Sequence, residues 1–109
     1  MSSSASQSHL KLLEVEISDK RKTEDALREQ IRIKQEAIEA LYAQINDLQD
    51  QQLHSSIAPD EVGLLRQRRH LRELCEGLKK DKRNLQEQLR NVLVDIERLQ
   101  TSWKSSWSN

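Results

Sequence analysis

His54-Ser55-Ser56-Ile57-Ala58-Pro59-Asp60-Glu61-Val62-Gly63 (HSSIAPDEVG) separates two long stretches that together hold one glycine and no proline. Pro59 inside a helix would remove a backbone hydrogen bond and clash with the preceding turn, at a cost of about 3 kcal/mol or more. In the first turn of a new helix it is welcome, and Asp60 and Glu61 after it suit the positive end of the helix dipole. The stretch therefore predicts a first helix over 9–54, a break over 55–58 and a second helix over 59–103. A four-residue break is of ordinary length for a helix-helix connection.

The pattern on either side supports a break. Upstream, a 3-4 repeat places Leu10, Ile17, Glu24, Ile31, Ile38, Ile45 and Gln52 at heptad position a. It places Leu13, Lys20, Leu27, Lys34, Leu41, Leu48 and Ser55 at d. Downstream, Arg68, Cys75, Lys82, Leu89, Ile96 and Trp103 occupy a, and Leu64, Leu71, Leu78, Leu85, Val92 and Leu99 occupy d. Spacing of this kind predicts amphipathic helices that associate along an apolar seam. Leu65, Leu74 and Leu93 broaden the second stripe beyond a and d. Extending the first phase would put a at 59 and 66, whereas the second phase has 61 and 68. A slip of two residues is neither of the interruptions, three or four residues long, that a continuous coil absorbs, so one seamless rod is excluded.

Two all-α topologies remain: a parallel dimer of extended chains with a central break, or an antiparallel helical hairpin. Isoleucine gathers at a and leucine at d in the first helix, the sorting that suits a parallel two-stranded coil, and this tips the balance toward extended chains. The hairpin has a consistent register of its own, in which facing residues have numbers that sum to 116, as Ile38 with Leu78 and Leu27 with Leu89. That register brings Lys34 opposite Lys82, two ammonium groups in one layer.

Composition bounds the function. Among 109 residues 35% are hydrophobic, 3% aromatic and 33% charged, too little bulky apolar material for a globule and typical of long helices. Net charge is zero, but residues through Ala58 carry 7 basic and 10 acidic side chains and those from Pro59 onward 11 and 8. The single Cys75 excludes an internal disulfide framework and fits a reducing compartment. The first residues lack the basic-then-apolar order of a signal peptide, and no apolar run is long enough to insert in a bilayer. An intracellular chain is expected, cytoplasmic or nuclear. The Ser-rich residues 1–8 predict a disordered tail and 104–109 a second tail.

No catalytic set, cofactor-binding loop or metal-ligand spacing emerges. His9, His54 and His70 are scattered, and His70 with Cys75 at i, i+5 is poorly placed to share an ion. An enzyme acting on a small-molecule substrate is therefore not expected. The expected partners are the chain itself or another coiled-coil protein, met along Leu10, Leu13, Ile17, Leu27, Ile31, Ile38, Leu41, Ile45 and Leu48. The second helix would contribute Leu64, Leu71, Leu78, Leu85, Leu89, Val92, Ile96, Leu99 and Trp103. Trp103 and Trp107 could anchor a partner, or Trp103 could simply close the seam.

One charged cluster stands apart. Arg66, Arg68, Arg69, Arg72, Lys79, Lys80, Lys82 and Arg83 outnumber Glu73, Glu76 and Asp81 within 66–83. The simplest expectation is a solvated face, free to pair with the acidic first helix. The alternative is a nuclear-import signal or contact with a nucleic-acid backbone. Basic residues ahead of Leu85, Val92 and Leu99 follow the order of a basic zipper, but Glu73, Glu76, Leu71 and Leu78 within the segment do not suit one.

Overall fold

A computed structural model describes the backbone of residues 2–54 and 61–108 and the side chains of residues 7–53 and 62–106. These residues form two helices, α1 over Ser2–His54 and α2 over Glu61–Ser108. The expected connection at 55–58 and the helix start at Pro59 lie outside the described residues, as do the side chains of His54 and Trp107.

Both helices outrun the sequence-based boundaries. Residues 2–8, expected as a disordered tail, continue α1, and residues 104–108 continue α2. Once a helix is nucleated each further residue adds a hydrogen bond at little cost, and neither end holds a glycine or proline to stop it. Near the end of α2, Thr101 Oγ1 and Ser106 Oγ donate to the carbonyls of Glu97 and Ser102 four residues back. Along α1, Glu24 accepts from Arg21 and Arg28, Arg32 pairs with Glu36, and Gln35 donates to Glu39. Each is an i, i+3 or i, i+4 pair that a helix brings to one face.

The chain divides into two compact units. The first joins Met1–Gln30 to Leu85–Asn109. Its core is a cluster of Leu27, Val92 and Ile96, against which Leu85 and Leu89 pack. Lys20 Nζ lies 3.4 Å from Asp95 Oδ2 at its margin.

The second unit is Ile31–Asn84, with Ile38, Ile45 and Cys75 buried. Lys34 Nζ lies 3.7 Å from Asp81 Oδ2, and Lys82 Nζ donates to Gln35 Oε1. Lys79 Nζ lies 4.9 Å from the centroid of the Tyr42 ring, and Arg68 Nη1 donates to Gln52 Oε1 at 3.1 Å. As numbers rise along α1 through 34, 42 and 52, their partners on α2 fall through 81, 79 and 68. The helices are therefore antiparallel in this unit.

In each unit α1 packs against α2 of the same chain, which differs from the extended arrangement that the Ile and Leu sorting favours. Two segments joined by a few residues meet at an effective concentration in the millimolar range, an advantage that separate chains lack. The choice between Ile and Leu at a given layer is a smaller packing preference. In the Lys34 and Lys82 layer each ammonium finds a polar partner. The Lys34 ammonium lies near Asp81 and the Lys82 ammonium donates to Gln35, and both lysines are half-buried.

Candidate interaction surface

The seam residues divide cleanly by burial. Leu13, Leu27, Ile38, Ile45, Val92 and Ile96 are buried, Ile96 to 2% exposure. Leu10, Ile17, Ile31, Leu41, Leu48, Leu64, Leu71, Leu78, Leu85, Leu89, Leu99 and Trp103 are half-buried. The polar members of the stripe follow the same phase: Lys20, Lys34, Gln52, Arg68 and Lys82 are half-buried. Ser106, three residues beyond Trp103, extends it.

Glu24 is the buried charge, at 8% exposure. Its carboxylate accepts from Arg21 Nη1 at 2.9 Å and Arg28 Nε at 3.0 Å. Those two hydrogen bonds hold its pKa below the ordinary carboxylate range against the opposing effect of burial. On α2 the nearest equivalent is Arg68, whose Nε is buried with no hydrogen-bond partner among the described residues.

What the seam leaves uncovered defines the outer surface. Leu65 is 54% exposed and Leu74 45%, whereas Leu93 is half-buried. On α1, Leu53 at 77% and Tyr42 are exposed as well. Leu65 opens a shallow groove along α2 lined by Arg68, Arg69, Arg72, Glu73 and Glu76. Within the second unit, Gln44, Asp47 and Leu48 of α1 border another groove with Gln67, His70 and Leu71 of α2.

The basic segment makes no ion pair with an α1 carboxylate among the described residues, so the pairing open to this face is not formed. Arg68 and Lys82 reach neutral amides, and Lys79 reaches the Tyr42 ring and, at 3.5 Å, Glu76 of its own helix. Tyr42, ahead of Glu76, holds the Lys79 ammonium above its ordinary range, since both favour the cation. Arg66, Arg69, Arg72, Lys80 and Arg83 are exposed.

Cys75 is a buried free thiol. His9 and His70 are exposed. Among the described residues no three His, Cys, Asp or Glu side chains gather where they could hold a metal ion. Neither helix, over the described residues, is long and apolar enough to cross a membrane. The heptad phase locates the buried stripe, but it contains no signal for which flanking residues stay open. That depends on which faces the two helices turn together.

No family model, curated protein or solved structure matches the chain.

Proposed function

We propose that the chain is a non-catalytic assembly or adaptor subunit, a coiled coil that acts by presenting helix faces to further helices. The observation that carries this reading is the set of large apolar side chains left open on the flanks of a filled intrachain seam: Leu65, Leu74, Tyr42 and Leu53. Large apolar side chains rimmed by charge are the usual mark of a surface that meets another protein. Triple replacement Leu53→Ser, Leu65→Ser, Leu74→Ser should leave helix content intact and abolish association with itself and with helical partners crosslinked in cells. Unchanged partner recovery and unchanged mass in solution would refute the role.

A second reading draws on the exposed cations of 66–83, which suit a nucleic-acid backbone in a nuclear protein. Glu73 and Glu76, in the same groove as Arg69 and Arg72, would then face phosphates, which disfavours it. Salt-dependent binding of an arbitrary duplex, lost on replacing Arg68, Arg69, Lys79 and Lys80 by Ala, would support it. No binding at low salt would dismiss it.

A further inference from the structure

The second unit carries two exposed ridges of opposite sign; among the described residues Glu36 alone of the acidic ridge has an ion-pair partner, Arg32. Between residues 35 and 53 α1 holds four acids and no base. Glu36, Glu39, Asp47 and Asp50 follow a 3-4-4-3 spacing through Ala43, so they form one narrow line along the helix. That line is on the side of α1 opposite buried Ile38 and Ile45, and all four acids are exposed.

On α2, Arg66, Arg69 and Lys80 lie toward the side away from buried Cys75, Arg72 and Arg83 lie on its flank, and all five are exposed. Glu73 and Glu76 reduce the positive charge of this ridge without cancelling it. At 1.5 Å per residue the acidic line is about 21 Å long and the basic one about 26 Å. Among the described residues no ion pair joins the two ridges within one chain. The cross-helix contacts of this segment agree, since they go to Gln35, Gln52 and Tyr42 rather than to these acids.

We propose that the occupant of the basic α2 ridge is a second copy of this chain, docked by the acidic outer ridge of its α1. Leu65, exposed beside Arg69 and Arg72, supplies an apolar contact to the same interface. The inference rests on the helix-association role and specifies its partner. Since the ridges lie on different helices, each contact leaves one acidic and one basic ridge open. The interface is heterologous, and association continues past the dimer unless the ring closes.

The test uses the full chain in sedimentation equilibrium at about 20 mM and about 500 mM salt, which shortens the screening length from roughly 20 Å to about 4 Å. At low salt the mean mass should rise with concentration to more than twice that of one chain, and high salt should reverse the rise. Two charge-reversed chains sharpen the result. One carries Glu39→Lys, Asp47→Lys and Asp50→Lys; the other carries Arg69→Glu, Arg72→Glu and Arg83→Glu. All six positions are exposed, and circular dichroism checks that both variants fold.

Each variant alone should lose low-salt association, and an equal mixture should regain it. A mixture that stays dissociated overturns the proposal, as does a wild-type chain that binds random duplex DNA at low salt without self-associating. A chain that never self-associates, yet loses cellular partners when Leu53, Leu65 and Leu74 become Ser, overturns self-docking and leaves the adaptor role standing.

Discussion

Replacing Ile96 by Ala tests whether the stability of the first unit resides in its narrow apolar cluster. Ile96 is 2% exposed and packs with Leu27 and Val92. The substitution removes three carbons, about 2.4 kcal/mol at roughly 0.8 kcal/mol per buried methylene. Residual cavity adds to this, and buried Ile to Ala changes span about 2 to 5 kcal/mol. Alanine returns up to about 0.5 kcal/mol through better helix propensity. The expected net loss is about 2 to 3 kcal/mol, corresponding to a fall in Tm on the order of 10 to 15 °C for a domain of this size. Ile33 is the internal control: it is the same residue type on α1 but 51% exposed. There the lost burial is about halved and the propensity gain remains, so Ile33→Ala should cost no more than about 1 kcal/mol. Urea unfolding followed by far-ultraviolet circular dichroism measures both. A cost below about 1 kcal/mol at Ile96, or equal costs at the two sites, would refute the placement of the core.

Three further outcomes follow from the polar positions and the glycine. Lys34→Leu with Lys82→Leu should raise stability by about 1 kcal/mol in urea melts, because partly exposed ion pairs contribute about 0 to 1 kcal/mol and burying a leucine contributes more. A loss of stability would show that the two lysines hold the seam together. The lowered pKa of Glu24 means that its contribution is present above the ordinary carboxylate pKa and is lost as pH falls through the lowered value. The stability gap between wild type and Glu24→Gln should therefore narrow when urea melts at pH 7 are compared with melts near pH 2.5, and a constant gap would contradict the arginine clamp. At Gly77 an added methyl group meets nothing within 4 Å, so Gly77→Ala should stabilise by up to about 1 kcal/mol, and a destabilised variant would mean that this face is already covered.

Much of the architecture was legible in the spacing of Leu and Ile. The residues in phase with Ile38 and Ile45, and with Cys75 and Ile96, are the ones with the least exposure, including polar members such as Glu24 and Arg68. Direction was not legible. A 3-4 stripe is compatible with parallel and antiparallel partners, and the Ile and Leu sorting that tipped the choice concerns small differences in layer packing. The fate of charges was also hidden. Sequence places an acidic helix beside a basic segment, but pairing requires their charged faces to turn toward each other, and the basic side chains that reach α1 meet Gln35, Gln52 and Tyr42 instead. Leu65 and Leu74 look like a broadened seam in sequence, yet only Leu93 of that set is drawn in.

The polar crossing formed by Lys34 with Asp81 and Lys82 with Gln35 has a consequence for alignment. Leucine-rich strips are nearly self-similar, so α1 could slide along α2 by one heptad and still bury apolar side chains. Such a slide would set Lys34 against Cys75 or Leu89 and Lys82 against Leu27 or Leu41, far from Asp81 and Gln35. The ammonium groups would then lose their polar partners, an error that an all-leucine strip would not penalise. These lysines act as an index mark: the chain that gains stability without them should also lose its single alignment, visible as broadened or doubled amide resonances.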